Sequence, residues 1–319
     1  MKVYRDIFEN YGKMLEARSR DEHKKIAVSS KKDGARPLVV GLYQMRNSCS
    51  GLEGKKKNLE HMLKAIRQMG SKKVQIMAFP EMCLPGYFTN VSGTPRDSKM
   101  AAHELADVIG ESPFLAQLCQ AARQNKMVIA FGFSEKYGKK FYNSIGVIDA
   151  DGKWLGRRWK NPLFPWDYET KSFTQPAKSL RSAVFKTRYA TIGISNCFDG
   201  EFPESVRQMR LDGAELLLWC NASCGNSKLG WSGRIHLSGG HAQANFFWVV
   251  CCNCVSENTT GTSCILSPNG EPLVVLPPNE EALGIGRIDL AMSAKWDGVA
   301  MRANWDLWRT RLCRNVRRQ

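Results

Sequence analysis

The sequence predicts an α/β fold in which two sheets pack face to face with helices outside them. Three observations carry that prediction. From Pro37 onward, short apolar runs alternate with stretches of helical periodicity. Strand pairs recur with no helix between them, which a plain doubly wound parallel sheet would not show. The runs are also apolar on consecutive residues, as in Trp248-Val-Val-Cys-Cys252, so such strands need cover on both faces.

Taken in order, residues 4–15 place Tyr4, Ile7, Phe8, Tyr11, Met14 and Leu15 at helical spacing, an amphipathic helix expected to dock on the body or on another subunit. Its mixed charge (Asp6, Glu9, Glu16) does not suit a transit peptide, and a polar, basic linker runs from Ser29 to Arg36. Residues 38–45 read as a strand, 57–69 as an amphipathic helix and 74–79 as a buried strand. A helix over 113–125 leads to a strand over 127–133. Residues 143–149 and 153–159 form a hairpin around Asp151-Gly152. A strand over 191–195, a helix over 203–211 and a strand over 215–219 follow. A helix over 235–245 leads into a strand over 246–252. Residues 264–266 and 272–276 bracket the Asn269-Gly270 turn. The expected organisation is an extension and linker over 1–36, one main domain over 37–295 and a basic tail over 296–319. No internal repeat is visible.

Composition narrows the function classes. The 319 residues are 43% hydrophobic and 24% charged, an ordinary globular mixture that disfavours disorder and coiled coils. No run of about 18 apolar residues occurs, so no membrane span is expected. The net charge of +16 raises nucleic acid as a partner, but the excess is scattered. Its densest run is the tail Arg309, Arg311, Arg314, Arg317, Arg318, which reads as solvated, so nucleic acid is not expected. The 11 cysteines lie largely within apolar runs, which suits a reduced, cytoplasmic interior rather than a disulfide scaffold.

Three segments share one design, an apolar strand ending abruptly in polar residues. They are Ile76-Met-Ala-Phe-Pro-Glu81, Gly156-Arg-Arg-Trp-Lys160 and Ile192-Gly-Ile-Ser-Asn-Cys197. Strand ends in α/β proteins gather at one rim, where ligands bind. A carboxylate able to take a thiol proton, a cysteine able to attack and an ammonium able to hold an oxyanion would then converge. The backbone N–H of Phe198, next to Cys197, is a candidate second donor. No zinc is expected. Cys251 and Cys252 fall on opposite faces of a strand, and no second Cys or His pair stands at zinc spacing from Cys220 and Cys224. His236 and His241 are off the spacing of a shared helical metal site.

Phe79-Pro-Glu81 with Leu84-Pro-Gly-Tyr87, Lys160 after Asp151-Gly-Lys153, and Cys197-Phe-Asp-Gly-Glu-Phe-Pro-Glu204 resemble, in order, the three signature blocks of the nitrilase, or carbon–nitrogen hydrolase, superfamily. Asp212-Gly-Ala-Glu215 and Asn253 also fit. The resemblance implies a four-layer α-β-β-α sandwich with two mixed sheets, and cofactor-free hydrolysis of a non-peptide carbon–nitrogen bond. It places a Glu–Lys–Cys set on Glu81, Lys160 and Cys197. It places a second glutamate on Glu169, to orient the lysine, the leaving amine or the water. A homodimer or larger homo-oligomer is implied too.

The segment after Cys197 resembles the aliphatic amidase branch, with carbamoyl-amine hydrolases beside it. Asp199, Gly200 and Glu201 stand where carbamoyl-amino-acid hydrolases place arginines, which points to a neutral or cationic amide or carbamoyl amine. Phe198-Asp199 departs from the Trp-Glu of true nitrilases. Residues 239–245 lack the arginine and Glu-Asn pair common in that helix. Two rivals remain: nitrile hydrolysis at the same site, and a non-catalytic basic scaffold or nucleic-acid-binding protein.

Overall fold

The computed structural model describes residues 34–87, 94–177, 183–223, 230–256 and 259–295. The predicted helix over 4–15 and the basic tail lie outside them. The first half runs β1 (Pro37–Gln44), α1 (Gly51–Ser71), β2 (Ile76–Ala78), α2 (Pro95–Glu104), α3 (Pro113–Asn125), β3 (Val128–Tyr137), β4 (Lys140–Ile148) and β5 (Trp154–Trp159). A single turn, α4 (Asp167–Thr170), and a short strand, β6 (Val184–Lys186), lead to the second half. That half comprises β7 (Thr191–Asn196), a 3-10 turn (Cys197–Glu201), α5 (Pro203–Leu211), β8 (Leu216–Asn221), α6 (Gly230–Asn245), β9 (Trp248–Asn253), β10 (Cys264–Leu266) and β11 (Pro272–Val275). Finally β12 (Ala282–Asp289) returns to the first sheet, and α7 (Ala291–Lys295) follows it.

Two six-stranded mixed sheets result, ordered β12-β1-β2-β3-β4-β5 and β11-β10-β9-β8-β7-β6. In each, three parallel strands (β1, β2, β3 and β7, β8, β9) are followed by an antiparallel hairpin, with one antiparallel strand on the other side. The halves thus repeat a topology with no visible sequence repeat. Burial pattern and turn chemistry set strand order, and many sequences satisfy both.

Side-chain alternation builds the layers. Val40, Leu42, Ile76, Ala78, Val128 and Ala130 face Ile194, Leu216, Leu218, Trp248 and Val250 in one inter-sheet core. The alternate residues Met77, Ile129 and Phe131 pack under α1 and α3 through Leu59, Met62, Ile66, Leu115 and Leu118. On the far side, Leu217, Trp219, Val249 and Cys251 pack under α5 and α6. The four-layer α-β-β-α sandwich is therefore what the chain adopts, because central strands such as β2, β8 and β9 bury both faces.

Local chemistry sets the helix ends. Ser112 caps α3 by accepting from the Phe114 and Leu115 amides, with Pro113 in the first turn. Thr94 and Asp97 form a capping box on α2, an element the sequence pattern left unassigned. Helix α1 starts at Gly51, six positions before the expected start, where Gly51 and Gly54 mask the pattern. Strand β12 went unread because Gly284 and Gly286 look like breakers. Gly286 instead lets the sheets approach, since a Cβ there would sit 2.9 Å from Ile265 Cδ1.

Candidate active site

Four strand ends and one helical turn meet at a single rim. After β2 the chain leaves the sheet through Phe79-Pro80-Glu81, and Met82 turns it with φ of 51°. The Glu81 amide donates to the Asn221 carbonyl, at 3.3 Å, at the end of β8 in the other sheet. Both Glu81 oxygens are engaged. Oε1 accepts from Lys160 Nζ at 2.8 Å and Asn143 Nδ2 at 2.7 Å, and Oε2 from the Ala222 amide at 3.0 Å.

Lys160 follows β5, and its amide bonds the Asn143 carbonyl of neighbouring β4 at 2.9 Å. Its side chain is 1% exposed, and Nζ also donates to Glu169 Oε2 at 2.9 Å. Glu169, on α4, accepts further from Asn143 Nδ2 at 3.2 Å and the Tyr87 hydroxyl at 3.2 Å. One cation thus sits between two carboxylates, with Asn143 bridging both. A cation buried this deeply persists only with such pairing.

Cys197 closes β7 with φ of 48°, a left-handed conformation that costs a non-glycine residue on the order of 1–3 kcal/mol and survives only when well braced. Asp199 supplies the bracing. Its Oδ1 accepts from the Asn196 amide at 2.6 Å and Ser195 Oγ at 2.7 Å, and its Oδ2 from Arg158 Nε at 2.9 Å. Trp219 Nε1 donates to the Cys197 carbonyl at 2.8 Å. Asn196 Nδ2 reaches Asn143 Oδ1 at 3.0 Å, which ties the Cys197 turn to the carboxylate cluster. The thiol lies 3.7 Å from Ser223 Oγ, and the Ala222 N–H favours its anion.

Burial pushes the Cys197 thiol up to about 12, with the Glu81 charge adding to it and Lys160 and Arg234 opposing. The resting thiol is therefore protonated and needs a base. Burial works against charge on Lys160, but Glu81, Tyr87 and Glu169 together outweigh it and hold the ammonium well above its ordinary range. Burial raises Glu169, Lys160 opposes it, and Glu81 adds to the rise. A thiol, a carboxylate and a fixed ammonium beside one another can add sulfur to a carbonyl carbon and hold the oxyanion that forms. Among the described residues, no three His, Cys, Asp or Glu side chains are grouped closely enough to hold a metal ion.

Comparison with known proteins fixes the family. The family model for carbon–nitrogen hydrolases matches residues 39–297. The chain belongs to the carbon–nitrogen hydrolase family. Over 294 residues it is 27% identical to N-carbamoylputrescine amidase of Oryza sativa subsp. japonica, spanning 85% of this chain and 91% of the relative. It is 29% identical to a nitrilase of Pyrococcus abyssi over 238 residues, 73% of this chain and 84% of the relative. In fold it matches the crystal structure of a carbon-nitrogen hydrolase from Helicobacter pylori G27, with TM-score 0.71, 22% identity and coverage of 86% and 95%. The protein is thus a hydrolase of carbon–nitrogen bonds.

The four expected side chains of the hydrolase, Glu81, Lys160, Cys197 and Glu169, share one rim. The thiol meets Glu81 and Lys160 as nearby charges rather than through a hydrogen bond. Phe198 lies in the first turn of the 3-10 segment, where amides lack an intrahelical acceptor. Sequence reasoning missed Asn143, Tyr87, Asn196, Ser223 and Arg234. Tyr87 stood in a quoted motif with no role given to it. Asn143 carried a signal in its position, a polar residue opening a strand beside Lys160. His241 proves buried, bonded to the Gly200 carbonyl at 2.8 Å and edge-on to Trp219. Cys251 lies under α6 and Cys252 in the inter-sheet core, opposite faces as the strand period requires.

Proposed function

We propose that the protein is a cysteine-dependent hydrolase of amides or N-carbamoyl amines, acting through a thioester on Cys197. The observation that carries this reading is the buried Glu81–Lys160–Glu169 cluster beside a thiol held in a braced left-handed turn. Glu81 takes the thiol proton as sulfur attacks the carbonyl carbon. Lys160 Nζ and the Phe198 N–H hold the oxyanion. The carbon–nitrogen bond breaks, and Glu81 passes the proton to the departing ammonia or amine. Water then attacks the thioester, yielding its proton to Glu81, and sulfur leaves and is reprotonated. Glu169 keeps Lys160 in place, with Asn143 and Tyr87 fixing Glu169. Contacts between a thiol and its base tighten as substrate binds.

The name of the rice relative supports the carbamoyl-amine class. The argument from Asp199 against an anionic substrate loses its force, because that carboxylate is buried and spent on Arg158, Ser195 and Asn196. We read 37–295 as the hydrolase domain, with the flanking segments as appendages. Cys83, Cys119, Cys197, Cys220, Cys251, Cys252, Cys254 and Cys264 are free thiols, which supports a reducing, cytoplasmic setting. Exposed aromatic side chains at Trp166 and Phe202 support assembly as a homo-oligomer.

Cys197→Ala is expected to abolish turnover while leaving the unfolding midpoint within a few degrees of wild type. Intact-mass detection of an acyl adduct across amide, carbamoyl and nitrile panels identifies the class. Undiminished hydrolysis by the alanine variant would overturn the proposal. Adducts from nitriles alone would move the enzyme to nitrile hydrolysis, in line with the Pyrococcus relative's name.

A further inference from the structure

One cation at the site has no part in that cycle. Arg234 reaches the nucleophile from α6, an element that supplies nothing to the Glu81–Lys160–Glu169 cluster. Its guanidinium carbon lies 4.6 Å from the Trp219 ring centroid. Its Nη2 donates to Ser223 Oγ at 2.6 Å and to Glu201 Oε1 at 3.0 Å. Ser223 Oγ in turn stands 3.7 Å from Cys197 Sγ. A guanidinium can only donate, so it occupies a lone pair of the hydroxyl and leaves the Ser223 proton available to the sulfur. The Arg234 side chain is only 13% exposed and its Nη1 has no acceptor among the described residues, while its partner Glu201 is 40% exposed and screened by water. The guanidinium charge is therefore felt most strongly inward.

We infer that Ser223 and Arg234 form a relay that stabilises the Cys197 sulfur anion, with Ser223 touching the reacting atom and Arg234 positioning and polarising Ser223. The relay rests on Cys197 being the nucleophile. It acts twice in the cycle. When Glu81 removes the thiol proton, the hydroxyl donates to the sulfur as charge develops there. When the hydrolytic intermediate collapses, the carbon–sulfur bond breaks, its electron pair returns to sulfur, and the relay holds that anion until Glu81 returns the proton.

The charged groups around the thiol are few. Glu81 disfavours the anion, whereas Lys160 and Arg234 favour it with the Ala222 N–H. Tyr87 and Glu169 stand behind Lys160. Asp199, on the nucleophile's own turn, is paired with Arg158, and His241 binds the Gly200 carbonyl, its pKa lowered by burial. Removing the relay thus leaves Lys160 as the one charged side chain favouring the thiolate among the described residues.

The test is the rate of Cys197 alkylation by iodoacetamide between about pH 6 and 10, read by intact mass with Cys197→Ala as the blank. Arg234→Met and Ser223→Ala should each move the profile up by about one pH unit, or about tenfold slower at a fixed pH on the rising limb. Arg234→Lys should restore part of the shift. If Ser223 and Arg234 merely clamp α6 to the 222–223 turn, the variants lose stability and keep the wild-type profile. That outcome overturns the relay. Ser223→Ala removes one oxygen, so it decides the question even if Arg234→Met fails to fold. Absence of any Cys197 adduct in the wild-type protein would instead overturn the nucleophile assignment, and the relay with it.

Discussion

Gly132, on β3, does no chemistry, yet the position of Glu81 depends on it. A Cβ there would lie 2.0 Å from the Met82 amide nitrogen and 2.5 Å from the Glu81 carbonyl carbon, both backbone atoms that cannot swing aside. The Gly132 amide donates to the Pro80 carbonyl at 3.1 Å, and its carbonyl accepts from the Leu84 amide at 3.1 Å, so the turn is bonded to the strand at both ends. Gly132→Ala should push the turn outward by about 1 Å. For the base proposed at Glu81, a displacement of that size costs roughly a hundredfold in rate. The stability cost should be about 1–3 kcal/mol, as for other overpacked sites. Turnover and urea unfolding measured on one preparation separate the two effects. An alanine variant with wild-type turnover would show that the Glu81 backbone is not held there. The sequence reading reached Glu81, Lys160 and Cys197 because each ends an apolar strand, a pattern visible along the chain. It missed Asn143 and Ser223 because their work depends on what lies across the rim, and a single chain does not display that.

At the scale of the element, the turn from Asn196 to Glu201 is a local structure held by a distant ion pair. Its own residues favour capping, with Asp199 three positions beyond Asn196. A left-handed cysteine nonetheless needs more than capping, and Arg158 of β5 supplies it from the other sheet. The side chains of the pair are 7% and 0% exposed, so neither charge is stabilised by water. Asp199→Asn should cost about 3–5 kcal/mol, because it leaves the guanidinium buried without its anion. Adding Arg158→Met to it should recover part of that loss, a coupling that urea titrations of the two single variants and the double would read. Additive losses would mean that the two side chains act separately. Sequence reasoning saw Asp199 as a statement about substrate charge, since it lies two residues from Cys197, the proposed nucleophile. The structure turns it inward, and proximity along the chain gave no hint of that direction.

Across the whole molecule, the site exists only while two sheets stay in register. Glu81, Asn143 and Lys160 come from the first sheet, and Cys197 and Ala222 from the second. Their joining surface is mostly apolar and not directional, so a few polar ties fix the alignment. Trp248 Nε1 on β9 donates to the Asp289 carbonyl on β12 at 3.0 Å, and Gln44 Oε1 on β1 accepts from the Ser263 amide, beside β10, at 2.8 Å. The packing of sheet on sheet was legible in the consecutive apolar residues of the strands. The register was not, because it rests on ties between positions such as 248 and 289 that no local pattern links. Trp248 is 1% exposed and lies in the inter-sheet core, so Trp248→Ala should cost about 3–5 kcal/mol. Because each sheet carries part of the site, turnover and far-UV circular dichroism should fall along one curve as the variant is heated or titrated with urea. The same coincidence is expected of the wild type at a higher midpoint. Turnover lost well before secondary structure would mean that the sheets separate or slide while each remains folded, and that the inter-sheet ties, rather than the sheets themselves, set the limit of the active state.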